Sequence, residues 1–440
     1  MRSVNTVVIP EMSELAVMES VRKAQSGVAN QEDAEKAVAL DFYYHRNVDQ
    51  HIDKWFSKST LDQIPSFPSK VCPRFCRARQ MVYKSPPIRL INGEQSDDYT
   101  GMTTKLDTKA REFSELAWLT SSMAMRSKWS ENKQRMEYDL IPYFKRFMID
   151  GELQGVSYEV ERDAKNNRIF VFWSDDLHYK FDQSGKIIQV NDNNENPYGI
   201  IPVSIVDYPQ SAMDIIRASI HIGIANTEIA LATRFSFGQP VISGIDEASQ
   251  IKLGIDKVMV LGEGADFNFK GNPGNLNQMI DVAKSFANQT AINNHLRIKW
   301  DESGNPASGE ALRLMEIENL ETRISELPIW REWEQDRYEI DRSIIRAHTG
   351  KDLGERYVID FAEIEFPKSW AETKDELNFK LEKGLMSRED LVRHFNPDIS
   401  DEDLESKLNK VDESKKVEAE AQKPTQPAFE GLRKLGTVGS

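Results

Sequence analysis

Apolar and polar positions alternate with different periods along this chain, and the period changes mark its elements. In residues 31–56, Ala34, Val38, Leu40, Phe42, Tyr43, Val48, Ile52, Trp55 and Phe56 fall at helical spacing. Pro65, Pro68, Pro73, Pro86 and Pro87 then break the chain into short connected pieces. Residues 105–125 and 137–149 read as helix again. From about residue 155 the period becomes two. Val156, Tyr158 and Val160 alternate with polar neighbours, and short apolar runs follow at 169–173, 178–181 and 187–190. Polar turns at 163–167, 174–176 and 182–185 separate them, so a small antiparallel sheet or barrel is expected, closed by a strand at 200–206.

Residues 211–234 predict an unusual helix. It carries Met213, Ile215, Ile216, Ile220, Ile222, Ile224, Ile229 and Leu231, and its only charges are Asp214, Arg217, Glu228 and Arg234. A helix apolar on nearly all sides is buried on nearly all sides. His221, Asn226 and Thr227 make it too polar for lipid, so neighbouring protein, from this chain or from other copies, is expected to cover it. Glycines and short strands at 240–243, 258–261 and 266–270 follow, then a second helix at 276–296. That order sets a β excursion at the tip of a helical hairpin. A polar loop at 299–308 leads into a long helix reaching about residue 348, with Ile317, Leu320, Ile324 and Leu327 as a buried stripe and Pro328 as a kink or break. Residues 357–366 predict a strand joining the earlier sheet. Ser369 with Glu372, Ser387 with Asp390, and Ser400 with Asp403 have the spacing of helix caps, and Gly384 and Pro397 are stops. Residues 412–440, rich in Lys, Glu, Ala, Gln and Pro, read as a disordered tail.

Charge narrows the function classes. The 440 residues include 71 acidic and 56 basic side chains, for a formal charge of −15. This argues against a basic module that coats phosphates, and suits a soluble protein. No apolar run reaches the roughly 18 residues of a membrane span. The first 25 residues lack a basic flank followed by an apolar core, which argues against a secretory signal. Without export, Cys72 and Cys76 are expected to be free thiols. Catalytic patterns are missing. Gly262-Glu263-Gly264 and Gly350-Lys351-Asp352 lack the rest of a phosphate loop, His45 and His51 do not share a helix face, and no His-Glu-x-x-His or Gly-x-Ser-x-Gly occurs. No catalytic residue, metal or cofactor is expected, and the chain is read as non-enzymatic.

Three segments carry a family resemblance: Asn196-Pro197-Tyr198-Gly199-Ile200-Ile201-Pro202; Ser303-Gly304-Asn305-Pro306-Ala307-Ser308-Gly309-Glu310-Ala311-Leu312-Arg313; and Gly384-Leu385-Met386-Ser387-Arg388-Glu389-Asp390 with the later Asp401-Glu402-Asp403-Leu404-Glu405. Together with the order of elements over roughly residues 30–410, they make the chain resemble the portal proteins of tailed bacteriophages. The resemblance implies an α+β, portal-like subunit with a wing at 1–210 (helical first, β-rich over 151–208), stem helices at 211–234 and 276–298, and a clip at 235–275. A tunnel loop would follow at 299–308, then a kinked wing helix and return strand at 309–368, a crown at 369–411 and the tail at 412–440. It implies a ring, usually of twelve copies, at one capsid vertex of a virion, assembled in the host cytoplasm. Its partners would be the major capsid and scaffolding proteins, the large terminase subunit and then a head-tail adaptor, and double-stranded DNA would pass through without sequence specificity.

The same resemblance assigns residues. Arg297, Lys299, Trp300, Asp301, Glu302, Ser303, Asn305 and Ser308 would face DNA from the tunnel loop. Lys252, Asp256, Lys257, Glu263, Asp266 and Lys270 would meet the motor or adaptor at the clip. Ile216, Ile220, Ile224, Met279 and Phe286 would pack between stem neighbours. An acidic ring suits a conduit, because DNA must slide through and a strong grip would stall it. The alternative is a scaffold or adaptor with a β-tipped helical hairpin and no channel.

Overall fold

The computed structural model describes residues 6–8, 19, 31–162, 166–182, 184–188, 193–208, 212–234, 239–243, 266–270, 276–296, 316–364, 370–396 and 399–410. The fold is α+β, and the described residues fall into two compact units, 6–364 and 370–410.

The first unit is organised around a three-stranded sheet. Its strands are β3 (Ser122–Ser130), β4 (Arg135–Ile141) and β10 (Val203–Asp207), in the order β10-β3-β4. Paired residues share a face, so the register sorts the side chains. Ser204 lies opposite Met125 and Val206 opposite Met123. That face, with Met136 and Tyr138, packs on the helix Leu106–Thr120 and on Trp330, Trp333 and Tyr338 of the helix Ile317–Thr349. Ala124, Ile141 and Val203 point the other way, onto Phe144, Val156, Tyr158 and Val171 of a second sheet.

That second sheet has the order β1-β5-β6-β7-β8-β9, from Thr6–Val8, Phe144–Ile149, Glu152–Arg162, Arg168–Trp173, His178–Asp182 and Ile187–Ile188. It is antiparallel except where β1 joins β5. Its other face gathers Phe147, Phe170, Phe172, Tyr179 and Phe181 into a small aromatic core.

Several expectations are corrected. Residues 137–149 are not helix but the end of β4, a tight turn and β5. The buried positions there are Tyr138, Ile141, Phe144 and Phe147, in steps of three: Tyr138 faces the core under the long helix, Ile141 and Phe144 meet between the two sheets across the turn, and Phe147 faces the aromatic core, so burial on both sheet faces imitates a helical spacing. The β-rich part of this unit therefore begins at Ser122, well before residue 151. The strand near 200–206 is present but pairs with β3, outside the hairpin series before it. The strand β13 (Tyr357–Asp360) does not join either large sheet; it pairs antiparallel with β2 (Ile88–Ile91), which directly follows Pro86 and Pro87. The long helix runs through Pro328 without a break among the described residues.

The helix Met213–Arg234, the two-stranded tip β11 (Gln239–Ser243) and β12 (Asp266–Lys270), and the helix Leu276–Asn293 form the expected hairpin. The strand expected at 258–261, the start of the long helix and the tail at 412–440 lie outside the described residues. No helix among the described residues is long and apolar enough to cross a membrane.

The second unit holds the helices Trp370–Glu382 and Arg388–Phe395 and a further helix at 401–410. Ser387 and Asp390 form a reciprocal cap, and Ser400 and Asp403 also bond to each other, as their spacing predicts. Gly384 ends the first helix at φ 67°, a conformation glycine adopts without a Cβ clash. Leu377 and Leu404 are the buried apolar side chains among the described residues of this unit.

Candidate functional site

The hairpin is the first candidate surface, and its sequence explains how it is held. The two helices run antiparallel: Asn294 Nδ2 donates to Asp214 Oδ2 at 2.9 Å near one end, and the His221 and Phe286 rings stack at 5.7 Å further along. Much of the burial of Met213–Arg234 comes from the chain itself. Ile215 and Ile216 enter a core with Phe42, Ile52, Cys72, Phe75 and Ala291. Gly223 admits Ile52 so closely that a Cβ there would sit 2.4 Å from the Ile52 Cδ1. Thr227 Oγ1 accepts from the Phe67 backbone N–H at 3.0 Å. The side chains of Arg217, His221, Glu228 and Thr233 remain exposed among the described positions of this helix.

Ile216 is therefore corrected: it is 1% exposed within a single chain and is not free to meet a neighbour. Ile220 and Ile224 pack at the edge of the same core. Met279 is half-buried, and Phe286 is 45% exposed. The return helix also bares Val282 and Ile292. Val282, Phe286 and Ile292 are the large apolar side chains that the return helix leaves at least 45% exposed among the described residues. Asp266 and Lys270 end β12 opposite Ser243 and Gln239. Lys252, Asp256, Lys257 and Glu263 lie outside the described residues, as do Arg297, Lys299, Trp300, Asp301, Glu302, Ser303, Asn305 and Ser308.

Beside the hairpin, the helix Val71–Arg79 completes a groove of about 530 Å³. Its walls are apolar, through Phe75, Ile222 and Ile280, and Lys70, Arg74 and Lys284 bring positive charge to it. The two cysteines of Val71–Arg79 are both free and buried. Burial pushes the Cys76 thiol well up, and the neighbouring Cys72 adds to this, so Cys76 presents no reactive thiolate at the groove.

A second cluster escaped the sequence reading. Glu334, Arg337 and Asp341 lie on one face of the long helix, and all three are sealed from solvent. Glu334 accepts from Arg337 at 2.5 Å, from Arg89 at 2.8 Å, from the Tyr83 hydroxyl at 3.1 Å and from the Tyr357 hydroxyl at 2.8 Å. Asp341 pairs with Arg337 and accepts from the Tyr138 hydroxyl at 2.8 Å and the Tyr99 hydroxyl at 3.1 Å. Burial opposes ionisation of Glu334, but the two guanidiniums override it and hold its carboxyl well below the usual range. Burial raises Asp341, and Arg337 offsets this only in part. With no opening to solvent, the cluster joins the long helix to β2, β4 and β13. The spacing of the three charges, at i, i+3 and i+7 on the face that carries Trp330, was the signal available in the sequence.

The stripe expected to be buried on this helix is corrected in part: Leu327 packs against the core and Leu320 is half-buried. Ile317 and Ile324 are exposed, and Asn319, Arg323 and Glu326 are buried instead. Asn319 donates to the Ala78 carbonyl at 3.0 Å, Arg323 to the Ala362 carbonyl at 2.7 Å, and Glu326 pairs with Arg79 at 2.9 Å. Partners placed on that side outweigh the apolar preference of the other.

No group of His, Cys, Asp and Glu among the described residues is arranged to hold a metal ion. No protein-family model and no curated protein matches the chain. Among solved structures it is similar to a chain in the neck of an empty gene transfer agent particle, at 12% identity and a TM-score of 0.39, over 78% of this chain and 94% of that one. It is also similar to a chain in the virion of the native gene transfer agent particle, at 11% identity and a TM-score of 0.36, over 81% of this chain and 96% of that one.

Proposed function

We propose that this chain is the subunit of a portal-like ring at a virion vertex, a conduit for double-stranded DNA and a docking platform for a packaging motor and then a tail adaptor. In this reading the chain makes and breaks no covalent bond, and the motor supplies the energy. The observation that supports it best is the β-tipped hairpin whose return helix leaves Val282, Phe286 and Ile292 bare in the single chain. Exposed large apolar side chains gathered on one helix suit protein contact. Copies related by a closing rotation supply that contact without a second gene product. The order of elements in the sequence and the acidic charge agree with a channel through which DNA slides.

Native mass spectrometry and electron microscopy of the purified chain test the proposal. Closed rings with an axial opening are expected. A chain that remains monomeric under every assembly condition overturns it. Deletion of residues 299–308 separates a conduit from the scaffold alternative: a conduit assembles but no longer packages DNA, whereas a scaffold is indifferent.

A further inference from the structure

The long helix carries a bare face that matches the groove. Ile317, Glu321, Ile324 and Pro328 recur at steps of four, three and four, so at 100° per residue they share one side of the helix. Ile317 is 44% and Ile324 63% exposed, and Glu318, Glu321 and Glu332 are exposed on or beside that side. The diametrically opposite side holds Asn319 and Glu326, the residues that bind Ala78 and Arg79. The bare face therefore points away from the helix Val71–Arg79 on which the groove is built, and a chain cannot fill its own groove with it. In the groove, Lys70, Arg74 and Lys284 have no carboxylate partner among the described residues.

We infer that the acidic-apolar face 317–328 of one copy docks in the cationic groove of the next. Ile317 and Ile324 enter against Phe75, Ile222 and Ile280, and Glu321 meets Lys70, Arg74 and Lys284. The two surfaces differ and lie on different sides of one unit, so the contact is head-to-tail and each copy keeps a free end until a ring closes. The inference rests on the ring reading and names the surfaces that would mate.

The test mixes two variants of the full chain, Glu321→Cys and Lys284→Cys, with a short bismaleimide. Cys72 and Cys76 are fully buried and stay out of the reaction. A cross-linked pair is expected from the mixture and from neither variant alone. In parallel, Glu321→Lys or Lys284→Glu should weaken self-association about tenfold or more, and both changes in one chain should restore it. Oligomers that form without this cross-link and ignore both charge reversals overturn the inference while leaving the ring reading in place. A chain that never self-associates overturns both.

Discussion

The Arg337 guanidinium lies 2.5 Å from the Glu334 carboxylate, and neither side chain reaches solvent. Replacing Arg337 by Leu strands Asp341 as an uncompensated buried carboxylate and leaves Glu334 with Arg89 as its one remaining guanidinium. A loss of about 3–5 kcal/mol is expected, read as a shift of the urea midpoint. Lys133→Ala breaks an exposed ion pair with Glu137 and should leave the midpoint unchanged.

Gly223 is a packing requirement. Gly223→Val drives a side chain into the fully buried Ile52, and about 1–3 kcal/mol of destabilisation is expected. Ile52→Ala in the same chain should recover part of that loss, and a double-mutant cycle by chemical denaturation measures the coupling.

His178 stacks on Trp173 with ring centroids 3.4 Å apart. Burial, aided by Arg126 and Lys180, pushes its pKa down from 6.5 to about 4. Between those values the unfolded chain takes up a proton that the folded chain refuses, so stability falls as pH drops through this window. Unfolding free energies at pH 7 and pH 5 should differ more for the wild type than for His178→Gln; equal differences would remove His178 as the cause.

Cys72 and Cys76 should resist maleimide in the native state and react at once in denaturant, because both thiols are buried and burial keeps Cys76 protonated. Rapid labelling of folded protein would show that the helix Val71–Arg79 opens on its own.

The hairpin was legible because its signals are local. Eight large apolar residues in one helix, glycines at the tip and a second apolar helix each stand alone in the sequence. Positions whose fate depends on distant partners were not. Ile324 reads as core until Glu326 is seen to pair with Arg79, 247 residues away. The β4–β5 corner reads as helix because its strands are buried on both sheet faces. Tyr357–Asp360 announces a strand, but nothing local names Ile88–Ile91 as its partner. The groove was invisible for the same reason: Arg74, Ile222 and Lys284 converge only in three dimensions.

That last strand pairing bears on biosynthesis. Asp360 sits opposite Ile88, so the ladder that completes the Trp330–Trp333 core cannot form until most of the chain has been translated. The hairpin of 213–293 leaves the ribosome earlier, with Val282, Phe286 and Ile292 uncovered and the body that orients it still open. The core around Trp330 and Trp333 thus waits on the end of its unit, on a strand synthesised after the long helix and after every strand of both large sheets.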